Sequence, residues 1–297
     1  MFTGSESAVG IIRSKGVHLR LPRAALTGDT ALIVPTGKSV LFVIPSPTYW
    51  LVGTTDTEWM DDPDAVEPTR ADIDYLLGLL AGILEKPVLA DEVTYTFAGL
   101  RPLVKDQAVG GNTAKVTREH RIVRVAPGVL AIVGGKWTTY RVMARDMVDT
   151  ILADRGVPPI ACTTQAIPLV GSSVMAPDEG PEPPPLPTAD RAILDRRYGS
   201  RVGEVYALMS SEPALLAPLP DAAGYWLAEV VHACLNEGAL RLDDVLDRRL
   251  RVGLNIDVVT TALVNAAAEA VGRTLGWDER AVERAALDYL AVDTNHV

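Results

Sequence analysis

The chain has 297 residues, 48% hydrophobic and 22% charged, with a formal net charge of -10. That length suits a large core or two domains, and the acidic field repels nucleic acid and anionic membrane surfaces. A polyanion is expected to dock only in a local basic pocket, as a small phosphorylated molecule would. Cys162 and Cys234 show neither metal-ligand spacing nor a disulfide framework, so no metal site is expected and a reducing cytoplasm fits. No stretch reaches the ~18 unbroken apolar residues of a membrane span. The opening Met1-Phe2-Thr3-Gly4-Ser5-Glu6-Ser7 lacks the basic start and apolar core of a signal peptide.

Val40 to Ile44 reads as a buried strand stopped by Pro45 and Pro47, and Tyr49 to Val52, ended by Gly53, as its antiparallel neighbour. Thr69 opens a helix, with Asp72 at the capping-box position. Ile73, Leu76, Leu77, Leu80 and Leu84 then recur at helical spacing until Pro87. Val93 to Phe97 is a further strand. Ile122 to Val125, a Pro127-Gly128 turn and Leu130 to Val133 form a hairpin. Gly134-Gly135 closes it and leads into a helix from about Thr138 to Ala153, a step that sets backbone N–H groups at the positive end of a helix dipole.

Composition changes after Asp154. Six prolines lie between Ala176 and Pro187, which makes a stiff, extended linker. Helical patterns follow at Asp190–Leu208, Asp221–Glu237, Leu242–Val252, Asp257–Leu275 and Asp278–Ala291. Tyr225, Leu227, Val230, Val231 and Leu235 give the second of these an apolar stripe. The expected organisation is a mixed α+β first domain over residues 1–155, a linker over 156–188 and an all-α domain over 189–297.

Four ionisable elements stand near the Gly and Pro punctuation of the first domain. They are Ser14-Lys15-Gly16-Val17-His18 entering a strand, Gly99-Leu100-Arg101-Pro102-Leu103 directly after one, Thr117-Arg118-Glu119-His120 directly before one, and Gly134-Gly135-Lys136-Trp137-Thr138-Thr139-Tyr140-Arg141. In an acidic chain, cations at strand ends are candidates for an anion site, because guanidinium binds phosphate bidentately and Lys adds a point charge. Each also has a plainer reading. Arg101 alone reads as a surface or ion-pair residue, Arg118 beside Glu119 as a solvated pair, and His18, His120 and His232 as structural histidines. Gly134-Gly135 reads as a tight turn. Arg241, Arg248, Arg249 and Arg251, beside Asp243, Asp244 and Asp247, read as an ion-paired helix face.

Taken in order, these elements resemble the FAD-dependent glycerol-3-phosphate dehydrogenases. The resembling run includes the His18 segment, Phe42-Val43-Ile44-Pro45, Gly53-Thr54-Thr55-Asp56-Thr57, Ala98-Gly99-Leu100-Arg101-Pro102-Leu103, the Arg118 segment and the Lys136 segment. Glu237-Gly238-Ala239, Leu242 to Arg249 and Gly276-Trp277-Asp278 extend it through the helical half. The resemblance implies a mainly antiparallel substrate-domain sheet, joined to the last strand and helix of an FAD-binding domain and followed by an all-α domain. It implies oxidation of glycerol 3-phosphate to dihydroxyacetone phosphate, with hydride passing from C2 to FAD and electrons passing on to a quinone. By the same resemblance His18, Arg101 and Lys136 are catalytic, and Arg101, Arg118 and Lys136 bind substrate. Gly134, Gly135, Lys136, Trp137 and Thr138 then face the flavin.

The family's FAD-binding unit opens with a strand, a Gly-x-Gly-x-x-Gly turn and a helix. No such pattern occurs here; neither Gly110-Gly111 nor Gly134-Gly135 supplies it. The expectation is therefore a truncated or split dehydrogenase that works with a separate N-terminal FAD-binding half. It would be cytoplasmic, with docking at the inner face of the cell membrane as a further option. A non-catalytic remnant or phosphate-binding scaffold is the alternative, and an oxidase of the same fold is a further one.

Overall fold

A computed structural model of the chain describes residues 10–37, 40–104, 119–172 and 181–293. The chain divides into two compact units, Met1–Ile167 and Pro168–Val297. The segment 156–188 that reads as a linker straddles this division. One part forms a short 3-10 turn at Thr164–Ala166, and Leu186 packs against the helical core of the second unit. Gly110, Gly111, Thr117 and Arg118 lie outside the described residues.

The first unit is organised by β1 (Ile11–Pro22), which is long enough to serve three neighbours. Its second half pairs with β4 (Tyr49–Gly53) and its first half with the short β5 (Thr57–Glu58). On its other edge it pairs along ten residues with β6 (Tyr95–Val104). Outward from β4 lie β3 (Val40–Pro45) and β2 (Leu32–Pro35). All these pairings are antiparallel. The β3–β4 neighbours expected from Pro45 and Gly53 are present.

One expectation is corrected by β6. The Gly99-Leu100-Arg101-Pro102-Leu103 block lies inside the strand, not after it. The length of β1 explains this, since it continues to offer partners as far as Ile11↔Val104. Pro102 has no N–H to donate, and it is tolerated because β6 pairs only with β1 among the described residues.

Side chains alternate across a strand, so β1 has two distinct faces. Val17, Leu19 and Leu21 point to one side and pack with Leu41, Val43, Trp50 and Val52 of the neighbouring strands. Leu76, Leu77 and Leu80 of α1 (Arg70–Ala81) cover that side. The helix ends at Gly82, well before Pro87, although Leu84 still packs against the core. Its start is as expected. The Thr69 hydroxyl accepts from the Asp72 N–H, and the Asp72 carboxylate accepts from the Thr69 N–H at 2.9 Å.

Lys15 shares that covered face, and its ammonium donates to Asp72 Oδ2 at 2.6 Å. The two side chains are only 5% and 7% exposed. Lys15 also stands 5.2 Å from the centroid of the Trp59 ring. The cation in the Ser14–His18 segment is thus committed to fastening α1 to the sheet, which corrects its place among the anion-site candidates.

After the sheet come the hairpin β7 (Arg121–Ala126) and β8 (Val129–Val133), then α2 (Tyr140–Asp154), which opens one short 3-10 turn later than the sequence suggested.

The second unit is helical among its described residues. It contains α3 (Thr188–Tyr198), α4 (Val202–Ser211), α5 (Leu227–Asn236), a π-helical turn at Asp244–Arg249, α6 (Val252–Asn255), α7 (Thr261–Leu275) and α8 (Glu279–Asp293). The single helix expected over Asp190–Leu208 is broken at Gly199, whose φ of 53° is unfavourable for other residues. On α5 the expected single stripe is also wrong. Packing against both α4 and α7 buries Ala228, Glu229, Val230, His232 and Ala233, while Leu235 is 60% exposed. Arg197 ion-pairs with the buried Glu229 and lies over the Tyr225 ring. Arg241 pairs with Asp243, and Arg248 with Asp243 and Asp244, as the charge pattern suggested.

Burial pushes the Asp72 carboxyl up, but hydrogen bonds from Lys15 and Thr69 outweigh that and hold it below its ordinary value. Its contribution is therefore present above the unfolded value and fades as pH falls through the folded one. Lys15→Ala leaves a buried carboxylate unpaired and should cost about 3–5 kcal/mol in denaturant unfolding. The double variant Lys15→Met, Asp72→Leu should recover most of that loss.

Candidate functional site

The face of β1 turned away from α1 carries Ser14, Gly16 and His18. On β6 the residues directly opposite them are Arg101, Gly99 and Phe97. On β4, Gly53 stands opposite His18. Strand register alone therefore brings His18 and Arg101 onto one face, although they are far apart in sequence.

Gly16 lets the Arg101 side chain lie down across the sheet, since a Cβ there would overlap the guanidinium. Arg101 Nη2 donates to Thr54 Oγ1 at 2.7 Å and Nη1 to the Thr55 carbonyl at 3.2 Å. Thr55 is itself fixed, because its hydroxyl accepts from the Val17 N–H at 2.9 Å. The Ser14 hydroxyl donates to the Asp56 carboxylate. The Gly-Thr-Thr-Asp segment after β4 is thus the mount on which the arginine sits.

His18 lies against the Phe97 ring, with centroids 5.0 Å apart and planes 10° from parallel. A Cβ at Gly53 would overlap the imidazole. Burial, and then the positive charge of Arg101, lower the His18 pKa to about 4, so the ring is neutral near pH 7.

Gly134 and Gly135, at φ 74° and 87°, turn the chain from β8 toward α2. Their lack of side chains has a local reason. A Cβ at Gly134 would meet the Glu119 carbonyl at 2.7 Å and Val104 at 3.1 Å, and one at Gly135 would run into Met143. The turn therefore rests against the end of β6. Beyond it Lys136, Trp137 and Thr138 are exposed, Trp137 at 88%. Thr139 Oγ1 bonds back to the Lys136 carbonyl at 3.0 Å. His120 Nε2 contacts Asp146 Oδ2 at 2.9 Å, and His232 is fully buried against Glu204, so both have structural partners. No metal-binding cluster exists among the described residues.

The structure thus brings His18 and Arg101 together, sets Lys136 with its neighbours at the opening of α2, and leaves Arg118 outside the described residues. The sequence reading assigned no site role to Gly16, Gly53, Thr54, Thr55 or Phe97. The signal for Thr54 and Thr55 lay in the Gly-Thr-Thr run after a strand. Nothing local marked Phe97, which matters only through cross-strand register.

A family model described as "FAD dependent oxidoreductase" matches residues 2–149, and one described as "C-terminal domain of alpha-glycerophosphate oxidase" matches 162–282. "Glycerol-3-phosphate dehydrogenase 2" of Mycobacterium tuberculosis is 38% identical over 287 residues, which is 94% of this chain and 48% of that protein. The chain belongs to the FAD-dependent glycerol-3-phosphate dehydrogenase family. "Glycerol-3-phosphate dehydrogenase" of Mycobacterium leprae is 37% identical over 288 residues, with coverage of 94% and 48%. The chain spans about half the length of the curated relatives it matches. A glycerol-3-phosphate dehydrogenase from Bacillus halodurans, solved in complex with FAD, shares the fold at a TM-score of 0.72 and 23% identity, covering 97% of this chain and 57% of that one. The antiparallel sheet followed by a helical domain is thus the family's architecture. No described helix is long and apolar enough to cross a membrane.

His18 makes folding pH-dependent in a defined window. Between its unfolded value of 6.5 and about 4, the unfolded chain binds the extra proton. Stability therefore rises with pH across that window and is complete above it. Thermal melts of His18→Asn should lose less stability than wild type between pH 7 and pH 4.5.

Proposed function

We propose that this chain carries the substrate side of a glycerol-3-phosphate oxidation. The observation that carries the reading is a neutral histidine beside a mounted arginine on the sheet face turned away from α1. Arg101, with Arg118 and Lys136 by family resemblance, holds the phosphate through charge-assisted bonds. His18 accepts the proton of the C2 hydroxyl, a task that requires the unprotonated ring. FAD, when bound, supplies the hydride acceptor, and electrons then leave to a quinone.

Two properties support these roles. Mounting the guanidinium on Thr54 and Thr55 fixes its direction before substrate arrives, which reduces the ordering cost of binding. A phosphate dianion on Arg101 also offsets the positive charge that lowers the His18 pKa. Substrate binding thereby strengthens the base at the moment of need.

The residues at the start of α2 fit a flavin's acceptor edge. The first N–H groups of a helix have no intrahelical acceptor, and here Lys136, Trp137 and Thr138 at that opening are exposed. These residues would hold the cofactor and favour negative charge on it. The glycine-fingerprint unit for the dinucleotide pyrophosphate is absent from this sequence. The FAD-binding unit that the family resemblance implies would supply that part.

The test supplies the FAD-binding half of a curated relative in trans and follows dye reduction by glycerol 3-phosphate. Activity should appear only with both halves. Arg101→Gln should lower kcat/KM by about 100-fold, the loss of a charge-assisted contact of roughly 3 kcal/mol, and Arg101→Lys should recover part of it. No turnover with both halves folded would instead favour the phosphate-binding scaffold.

A further inference from the structure

We infer that Phe97 is a positioning residue for His18, acting as one jaw of a non-polar clamp whose other jaw is Gly53. This rests on the reading of His18 as the proton acceptor. A catalytic histidine is ordinarily oriented by a hydrogen bond to its second nitrogen. Among the described residues none hydrogen-bonds to either nitrogen of His18. What holds the ring is a parallel aromatic face at 5.0 Å on β6 and a glycine on β4. All three positions are in direct cross-strand register, so the slot is set by the sheet and not by a loop.

Such a clamp restricts rotation of the imidazole while occupying neither nitrogen. It also keeps water off one face of the ring, consistent with burial as the leading cause of the low His18 pKa. Among charged and titratable groups on the surrounding strands, Arg101 and Tyr95 lie on β6 and Arg20 on β1, with Asp56 beyond β4. Arg101 bonds Thr54 and Thr55, Arg20 bonds Thr94, and Asp56 accepts from Ser14. The direct electrostatic influence on His18 is that of Arg101.

The test is imidazole NMR on the full chain, with the His18 signals assigned by their loss in His18→Asn. In wild type these signals should be displaced by the Phe97 ring current and titrate near 4. Phe97→Leu should abolish the displacement and raise the midpoint toward 6.5, whereas Phe97→Tyr should preserve both. If Phe97→Leu does not fold, Phe97→Met is read the same way. Arg101→Gln should raise the midpoint yet keep the ring-current displacement, which separates charge from stacking. With an FAD-binding half supplied, Phe97→Leu should lower kcat on the order of 100-fold with KM unchanged. A folded Phe97→Leu chain with unaltered His18 shifts and midpoint overturns the clamp. Adding glycerol 3-phosphate to wild type should move the His18 signals. If they stay still while the clamp signatures persist, the proposed function fails and the clamp stands.

Discussion

The organisation of the first unit depends on the two-sided geometry of β1. Alternation sends Lys15, Val17, Leu19 and Leu21 to the face under α1, and Ser14, Gly16 and His18 to the opposite face. The same short segment thus does two unlike jobs. One face supplies apolar area and a buried ion pair that ties α1 to the sheet. The other supplies the neutral histidine and the flat glycine surface on which Arg101 rests. A one-residue slip in register would exchange the two faces, so packing of the core also guards the placement of the candidate site.

The site gains rigidity because its parts sit on strands. Arg101 is mounted on Thr54 and Thr55, and Thr55 is bonded in turn to the β1 backbone. His18 is held by register between Gly53 and Phe97. The turn at Gly134-Gly135 differs, because its glycines serve close contacts with Glu119, Val104 and Met143, while the next residues project outward. Rigid sheet face and exposed helix opening suit the division proposed between substrate and cofactor.

Among the described residues of the helical unit, the two fully buried ionisable side chains are anchored, His232 through Nε2 to Glu204 and Glu229 through its carboxylate. Glu229 is fully enclosed, accepting from Arg197 and from the Trp226 N–H. Desolvation still raises its pKa. This places a charge-bearing network in the first turn of α5, where an all-apolar stripe was the simpler expectation. Burial on both sides of α5 accounts for the difference.

Much was legible in the sequence where the determining forces are local. Thr69 with Asp72 marks a helix start because the two side chains satisfy neighbouring backbone groups. Pro-Gly and Gly-Gly mark turns because proline fixes φ and glycine adopts φ values closed to other residues. The ordered run of motifs marks the family in the sequence itself. The sequence did not reveal that Arg101 lies within a strand, that Lys15 is consumed by Asp72, or that Phe97 faces His18. Those facts follow from register and packing between residues distant in the chain, where the free energy is shared across a whole sheet. Only the tertiary structure brings those partners together.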